Sequence, residues 1–293
     1  MHIVHAVTAV VGLTLVPLFL DLLRSFAAFR RGALGRAVSR AASASLMCAV
    51  GAICCIGLAL FFAHVLPFHA RTRWSSEWTA LALIACYLCG GTIASHAMAV
   101  AIAPGRCASA ARPEDGATVA SLPPHARFCS VCRYTVLDFD HHCLFTGKCV
   151  GRFNRRPFYI FLAHLLAAAS FAVGTSVAPF RRCVLARLLG PRGAPRDPAC
   201  AGVGSGQLAL VPALMVWVPI VPLVAWHMLL LRADVSTAEF VRRANADGLR
   251  AAIAALGVRK ALGQNRAWAL AHARFEAADA LAAARQNSPR RPR

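Results

Sequence analysis

The chain of 293 residues is 58% hydrophobic, only 15% of it is charged, and its formal net charge is +20. So apolar a composition excludes an ordinary soluble domain. The charge, carried by 30 arginines among 32 basic residues, points to no nucleic-acid partner, because cytoplasmic flanks of membrane spans collect the same residues.

Crossing the hydrocarbon core takes about 20 apolar residues in a helix. Five stretches meet that demand: 3–23, 42–65, 78–103, 157–178 and 208–231. None carries Lys, Arg or Glu in its middle. The first has no Lys or Arg ahead of it and no small-residue cleavage site after it, so it reads as a retained helix rather than a signal peptide. Arg24, Arg30, Arg31, Arg36 and Arg40 follow it and place that loop in the cytoplasm. With five spans the segments 104–156 and 232–293 are then cytoplasmic as well. Arg181, Arg182, Arg187, Arg192 and Arg196 run against this order, since their loop falls outside. The same loop holds Cys183 and Cys200, which would pair in an oxidising compartment and stay free in a reducing one. Cys48, Cys54, Cys55, Cys86 and Cys89 lie within spans and read as small apolar side chains at helix contacts. His164 and His227 read as core residues hydrogen-bonded between helices.

The expected fold is an all-α polytopic membrane protein of about five helices, with a small zinc-bound cysteine-rich cytoplasmic domain between the third and fourth. Residues 1–103 form an N-terminal three-span region. Residues 104–156 form a polar linker, with Cys107 standing alone, and the cysteine-rich segment. Residues 157–231 form a C-terminal pair of spans, and residues 232–293 a cytoplasmic tail. Asn154 is placed to cap the fourth span, with Pro157 in its first turn.

The cysteine-rich segment carries the chemistry. Zinc takes four thiolate or imidazole ligands in a tetrahedron, and a Cys-x2-Cys turn often supplies two. Cys129 and Cys132 make that turn, and His141, His142, Cys143 and Cys149 are candidates for the rest. If His142 and Cys149 complete the site, Asp140, His141 and Cys143 are left over, and these are a nucleophile, a base and a carboxylate to orient the base. Spacing alone leaves a second partition open, with Cys143 as ligand and Cys149 free.

Asp140-His141-His142-Cys143, after Cys129-Ser-Val-Cys132 and before Cys149-Val-Gly151-x-x-Asn154, resembles the DHHC family of protein S-acyltransferases. Ser236-Thr237-Ala238-Glu239 is similar to that family's Thr-Thr-x-Glu element, and Gly263-Gln-Asn265 with Trp268 to its C-terminal motif. The resemblance implies that Cys143 takes a palmitoyl group from acyl-CoA, with His141 as base and Asp140 orienting it. It implies one zinc ion on Cys129, Cys132, His142 and Cys149. The acyl group would then pass in a ping-pong exchange to cysteines of membrane-associated substrate proteins, in the bilayer of the Golgi or endoplasmic reticulum. Phe128 and Thr135 stand where the family pattern has ligands of a second zinc, and Leu144-Phe145 where it has Pro-Trp. Those departures define the alternative, a weak or inactive zinc-binding adaptor, and leave open an accessory subunit.

Overall fold

The computed structural model describes residues 33–107, 125–191, 197–201 and 209–258. Among them four helices are long and apolar enough to cross a membrane: Arg40–Thr72, Ser75–Ala101, Arg155–Leu189 and Leu210–Ala233. These are the last four of the five expected spans. The first, 3–23, lies outside the described residues, as do most of the linker and the motif around Asn265. The described residues fall into two units. One runs to Met228 and includes Ser236–Ala238. The other comprises Leu229–Val235 and the residues from Glu239 on.

Two spans run longer than hydropathy suggests, and a π-helical segment interrupts each. Helix α1 (Ala33–Leu60) passes through Phe61–Val65 into α2 (Leu66–Thr72). Helix α4 (Arg155–Pro179) passes through Phe180–Leu185 into α5 (Ala186–Leu189). Each π segment adjoins a proline, Pro67 in one and Pro179 in the other. A proline removes one i→i−4 bond and crowds the preceding turn, and a wider turn relieves both. Arg181, Arg182 and Arg187, expected in a loop, therefore lie on a continuing helix that stops only at Gly190-Pro191.

Helix α3 (Ser75–Ala101) packs most extensively on α4. Its buried Thr92, Ser95, His96 and Ala99 recur at helical spacing and make one stripe. Small residues let the two backbones approach. A Cβ on Gly91 would lie 2.5 Å from the His164 ring. His164 bonds back to the carbonyl of Ile160 in its own helix at 3.0 Å, not to a neighbouring helix as the sequence suggested. Large apolar side chains such as Leu83, Tyr87 and Met98 face outward, as lipid contact requires. Helix α6 (Leu210–Ala233) is the fourth described span, and α7 (Thr237–Asp247) and α8 (Leu249–Val258) follow it.

At the far end of α4 from the cysteine-rich segment, Cys183 and Cys200 form a disulfide. Around it Phe68 is buried against both chain segments, and Arg182 pairs with Asp197 at 2.6 Å.

Between α3 and α4 the chain makes two antiparallel hairpins of three-residue strands, which the sequence pattern did not reveal. β1 (Arg127–Cys129) pairs with β2 (Tyr134–Val136), and β3 (His141–Cys143) with β4 (Lys148–Val150). Part of the expected linker belongs to this fold: Cys107 N–H donates to Thr135 and Leu137 N–H to Gly105, at 3.0 Å each.

Candidate active site

The order of residues in β3 decides which side each side chain serves. Successive strand residues point to opposite faces. His141 and Cys143 therefore share one face, and His142 takes the other. In register, His142 lies directly opposite Cys149. Cys129 ends β1 and Cys132 sits in the following turn. One ligand atom from each of Cys129, Cys132, His142 and Cys149 falls within 4.8 Å of the others. Cys132 N–H donates to Cys129 Sγ at 3.4 Å, and His142 Nδ1 lies 3.3 Å from Cys132 Sγ. This donor set suits a metal ion. Thiol hydrogen bonds from Cys132 and then Cys149 push Cys129 down, while those to Cys129 and then Cys132 push Cys149 up. Three thiols cannot all ionise at such range without a cation among them.

On the other face, Cys143 is buried with Val50, Ala99, Val150, Phe158, Phe161 and Leu162. His141 Nδ1 lies 2.6 Å from the Asp140 carboxylate, and its ring shares the face of β3 with the Cys143 side chain. Burial works against charge on all three groups, but their mutual contacts outweigh it. Asp140 is held below the ordinary carboxylate range by His141 and by the Thr237 N–H. Burial would lower His141, yet Asp140 and Cys143 raise it to about 9. Burial would raise Cys143, yet His141 and Thr146 bring it down. The arrangement therefore favours a thiolate beside an imidazolium, which is an activated nucleophile.

Asp140 is also held from a distant segment. The Thr237 N–H and hydroxyl donate to its carboxylate at 2.8 Å and 3.1 Å, and Ala238 N–H donates to its carbonyl at 3.0 Å. The carboxylate thus sits on the open amides of a helix start, where negative charge is favoured. Glu239 turns instead to Arg242 and Arg243 of its own helix at 2.7 Å and 3.0 Å, and Arg242 foremost holds it at about 2.

Two further residues fix the backbone. Gly151 has no room for a side chain, because a Cβ there would lie 2.5 Å from Val136 and 2.6 Å from the Pro104 carbonyl. Asn154 precedes α4 as expected but caps nothing. Its side chain turns back to accept from Gly151 N–H and donate to the Cys149 carbonyl, at 2.9 Å each.

Beyond Cys143 a cavity of about 470 Å³ opens among the four described spans, lined by apolar residues with Cys54 and Cys89 among them. Leu165 packs against the Cys143 cluster and also lines the cavity. Val50 touches the same cluster and lies one turn before the lining residues Ile53 and Cys54. The Cys143 cluster and the apolar space are thus joined through Leu165.

Sequence reasoning missed three residues here. His96 donates to the Phe145 carbonyl, Thr146 lies beside Cys143, and His227 stands 5.6 Å ring to ring from His141. His227 Nδ1 is buried without a protein partner among the described residues, so the interhelical bond expected of it is not made there. A histidine inside a span is the one signal that singled out two of these positions.

Residues 117–244 match the family model described as DHHC palmitoyltransferase, and this part of the chain carries that family's domain. Palmitoyltransferase ZDHHC18 of Rattus norvegicus is 33% identical over 121 residues, 41% of this chain and 29% of that protein. Palmitoyltransferase ZDHHC8 of Mus musculus is 44% identical over 55 residues, and ZDHHC22 of the same species 41% over 56. Those matches cover 17% and 19% of this chain and 7% and 21% of the relatives. The chain thus spans less than a third of the length of each of these relatives.

Proposed function

We propose that the protein is an S-acyltransferase that moves a palmitoyl group from acyl-CoA to Cys143, and from there to cysteines of membrane-associated substrate proteins. The observation that carries this reading is a buried Asp140–His141–Cys143 relay beside an apolar cavity between membrane spans. The Cys143 thiolate attacks the thioester carbonyl carbon, and the bond to the coenzyme sulfur breaks. The departing thiolate takes the proton held by His141. In the second half a substrate thiol gives its proton to His141 and attacks the acyl-cysteine, which returns Cys143 as thiolate. Asp140 keeps the imidazole in one tautomer and balances its charge throughout. Cys129, Cys132, His142 and Cys149 would hold one zinc, which supplies a fixed crossing point for the two hairpins and no part of the transfer. The cavity would receive the acyl chain, and Lys148, Arg152, Arg155 and Arg156 would meet the coenzyme phosphates.

The Cys183–Cys200 disulfide supports a cytoplasmic active site in a Golgi or endoplasmic reticulum membrane. Its Cys183 lies near the other end of the Arg155–Leu189 helical run, roughly 40 Å from Arg155 at 1.5 Å per residue, and disulfides persist on the oxidising side. The changes at Phe128 and Thr135 favour a second reading, a zinc-holding adaptor that transfers nothing.

Autoacylation tests the choice. Purified protein incubated with a clickable palmitoyl-CoA analogue should take hydroxylamine-labile label on Cys143, and Cys143→Ser should take none. A zinc-loaded wild type that stays unlabelled would support the adaptor.

A further inference from the structure

We propose that His96 is a positioning residue for the nucleophile, holding the Phe145–Thr146 peptide in the turn that directly follows Cys143. The inference rests on the acyl-transfer reading of Cys143.

His96 lies on the α3 stripe that packs against α4, only 8% exposed, with its ring 4.9 Å from that of Phe161. A polar side chain inside a span is costly to keep without a partner. Its partner is distant in sequence: His96 Nε2 lies 2.8 Å from the Phe145 carbonyl, 49 residues away. A carbonyl only accepts, so Nε2 carries the proton.

That carbonyl belongs to the same rigid unit as the Thr146 N–H. The peptide group is planar and its C=O and N–H point in opposite directions, so holding one end aims the other. The other end lies in the turn that directly follows the nucleophile, and Thr146 is among the groups that bring Cys143 down. The Thr146 hydroxyl is held within the same turn, 3.3 Å from the Lys148 carbonyl and 3.5 Å from that of Cys143, and its one proton serves one acceptor at a time.

The turn has little else to hold it at this point. Phe145 is 47% exposed, and among the described residues the one backbone hydrogen bond inside the turn is Gly147 N–H to the Leu144 carbonyl, a long 3.3 Å. His96 thus ties the catalytic turn to a membrane helix and sets the direction in which the sulfur presents itself. Misdirection of a nucleophile lowers the rate of attack without changing how substrate binds.

The test compares His96→Leu, which cannot donate, with His96→Gln, whose amide can reach the carbonyl. His96→Asn, too short to reach, is a second non-bonding variant in case the Leu protein does not fold. Three quantities are read on full-length protein in detergent: autoacylation kcat and KM for palmitoyl-CoA, the iodoacetamide alkylation rate of Cys143 at one fixed pH, and zinc content. Leu and Asn should lower kcat about tenfold with KM unchanged, and should slow alkylation of Cys143 in parallel with zinc retained. Gln should restore both rates. Wild-type rates in the Leu and Asn proteins, a loss that Gln does not restore, or a change confined to KM would each overturn the proposal. Should the wild type take no acyl group while Leu slows alkylation and Gln restores it, the positioning role stands and the acyl-transfer reading fails.

Discussion

Each hairpin of the cysteine-rich segment sets one central residue directly across from another: Phe128 opposite Thr135 in the first, His142 opposite Cys149 in the second. The second pair gives two donors to the metal cluster. The first pair gives none, and its two changes face each other across a single rung. In the first hairpin other contacts take over. Arg133 lies over the Phe128 ring at 5.8 Å, Arg106 over Tyr134 at 4.2 Å, and the Thr135 carbonyl takes the Cys107 N–H. The first hairpin thus keeps its tip for the shared cluster and holds its body by packing. Asp140, His141 and Cys143 lie at the second hairpin, with Asp140 held by Thr237, so the residues at Phe128 and Thr135 leave those three groups in place.

Substitutions should separate the two hairpins by what they damage. The largest effect falls on the cluster that joins them. Cys132→Ala should lose zinc and the cooperative unfolding transition together, read by metal analysis and by thermal melting. A variant that melts normally without zinc would mean that packing alone holds the segment. Next comes Asp140→Asn in the connection leading into β3, which should cut autoacylation about a hundredfold or more while zinc stays bound. Asp140 also links to stability. Its folded pKa is depressed, so its contribution is present at neutral pH and disappears only as pH falls through that lowered value. The acid limb of a melting series should therefore be shallower in the Asn variant, with Glu239 still contributing to it.

Gly151→Ala should destabilise by about 1–3 kcal/mol, the usual cost of overpacking, because its Cβ would strike Val136 of the first hairpin and Pro104 beyond it. Unchanged melting would show that the hairpins are not packed through this point. The smallest effect is Phe128→Ala. Loss of about 1 kcal/mol with normal specific activity in the folded protein would mark the first hairpin as scaffold. A fall in activity at unchanged stability would give it a part in the chemistry.

Much of this was legible in the sequence, and the rest was hidden for physical reasons. Four spans follow from hydropathy alone, because lipid imposes length and composition directly. Their ends do not: α4 runs on past Arg181 and Arg182 through the π segment that follows Pro179. The candidate ligands and reacting groups were all visible as residue types, but their division was not. It depends on the side-chain alternation of strand β3, and three-residue strands leave no periodic pattern to read. His96 and Thr237 were hidden differently. They act on backbone or side chains 49 and 97 positions away, and only the fold brings such residues together.

The division of ligand from nucleophile is most directly tested by zinc content in two single substitutions measured side by side, Cys143→Ser and Cys149→Ser. The structure predicts that the first keeps one zinc per chain and loses acylation, whereas the second loses the zinc. Retention of zinc in Cys149→Ser with its loss in Cys143→Ser would contradict the account, and would make Cys143 a ligand and the site structural.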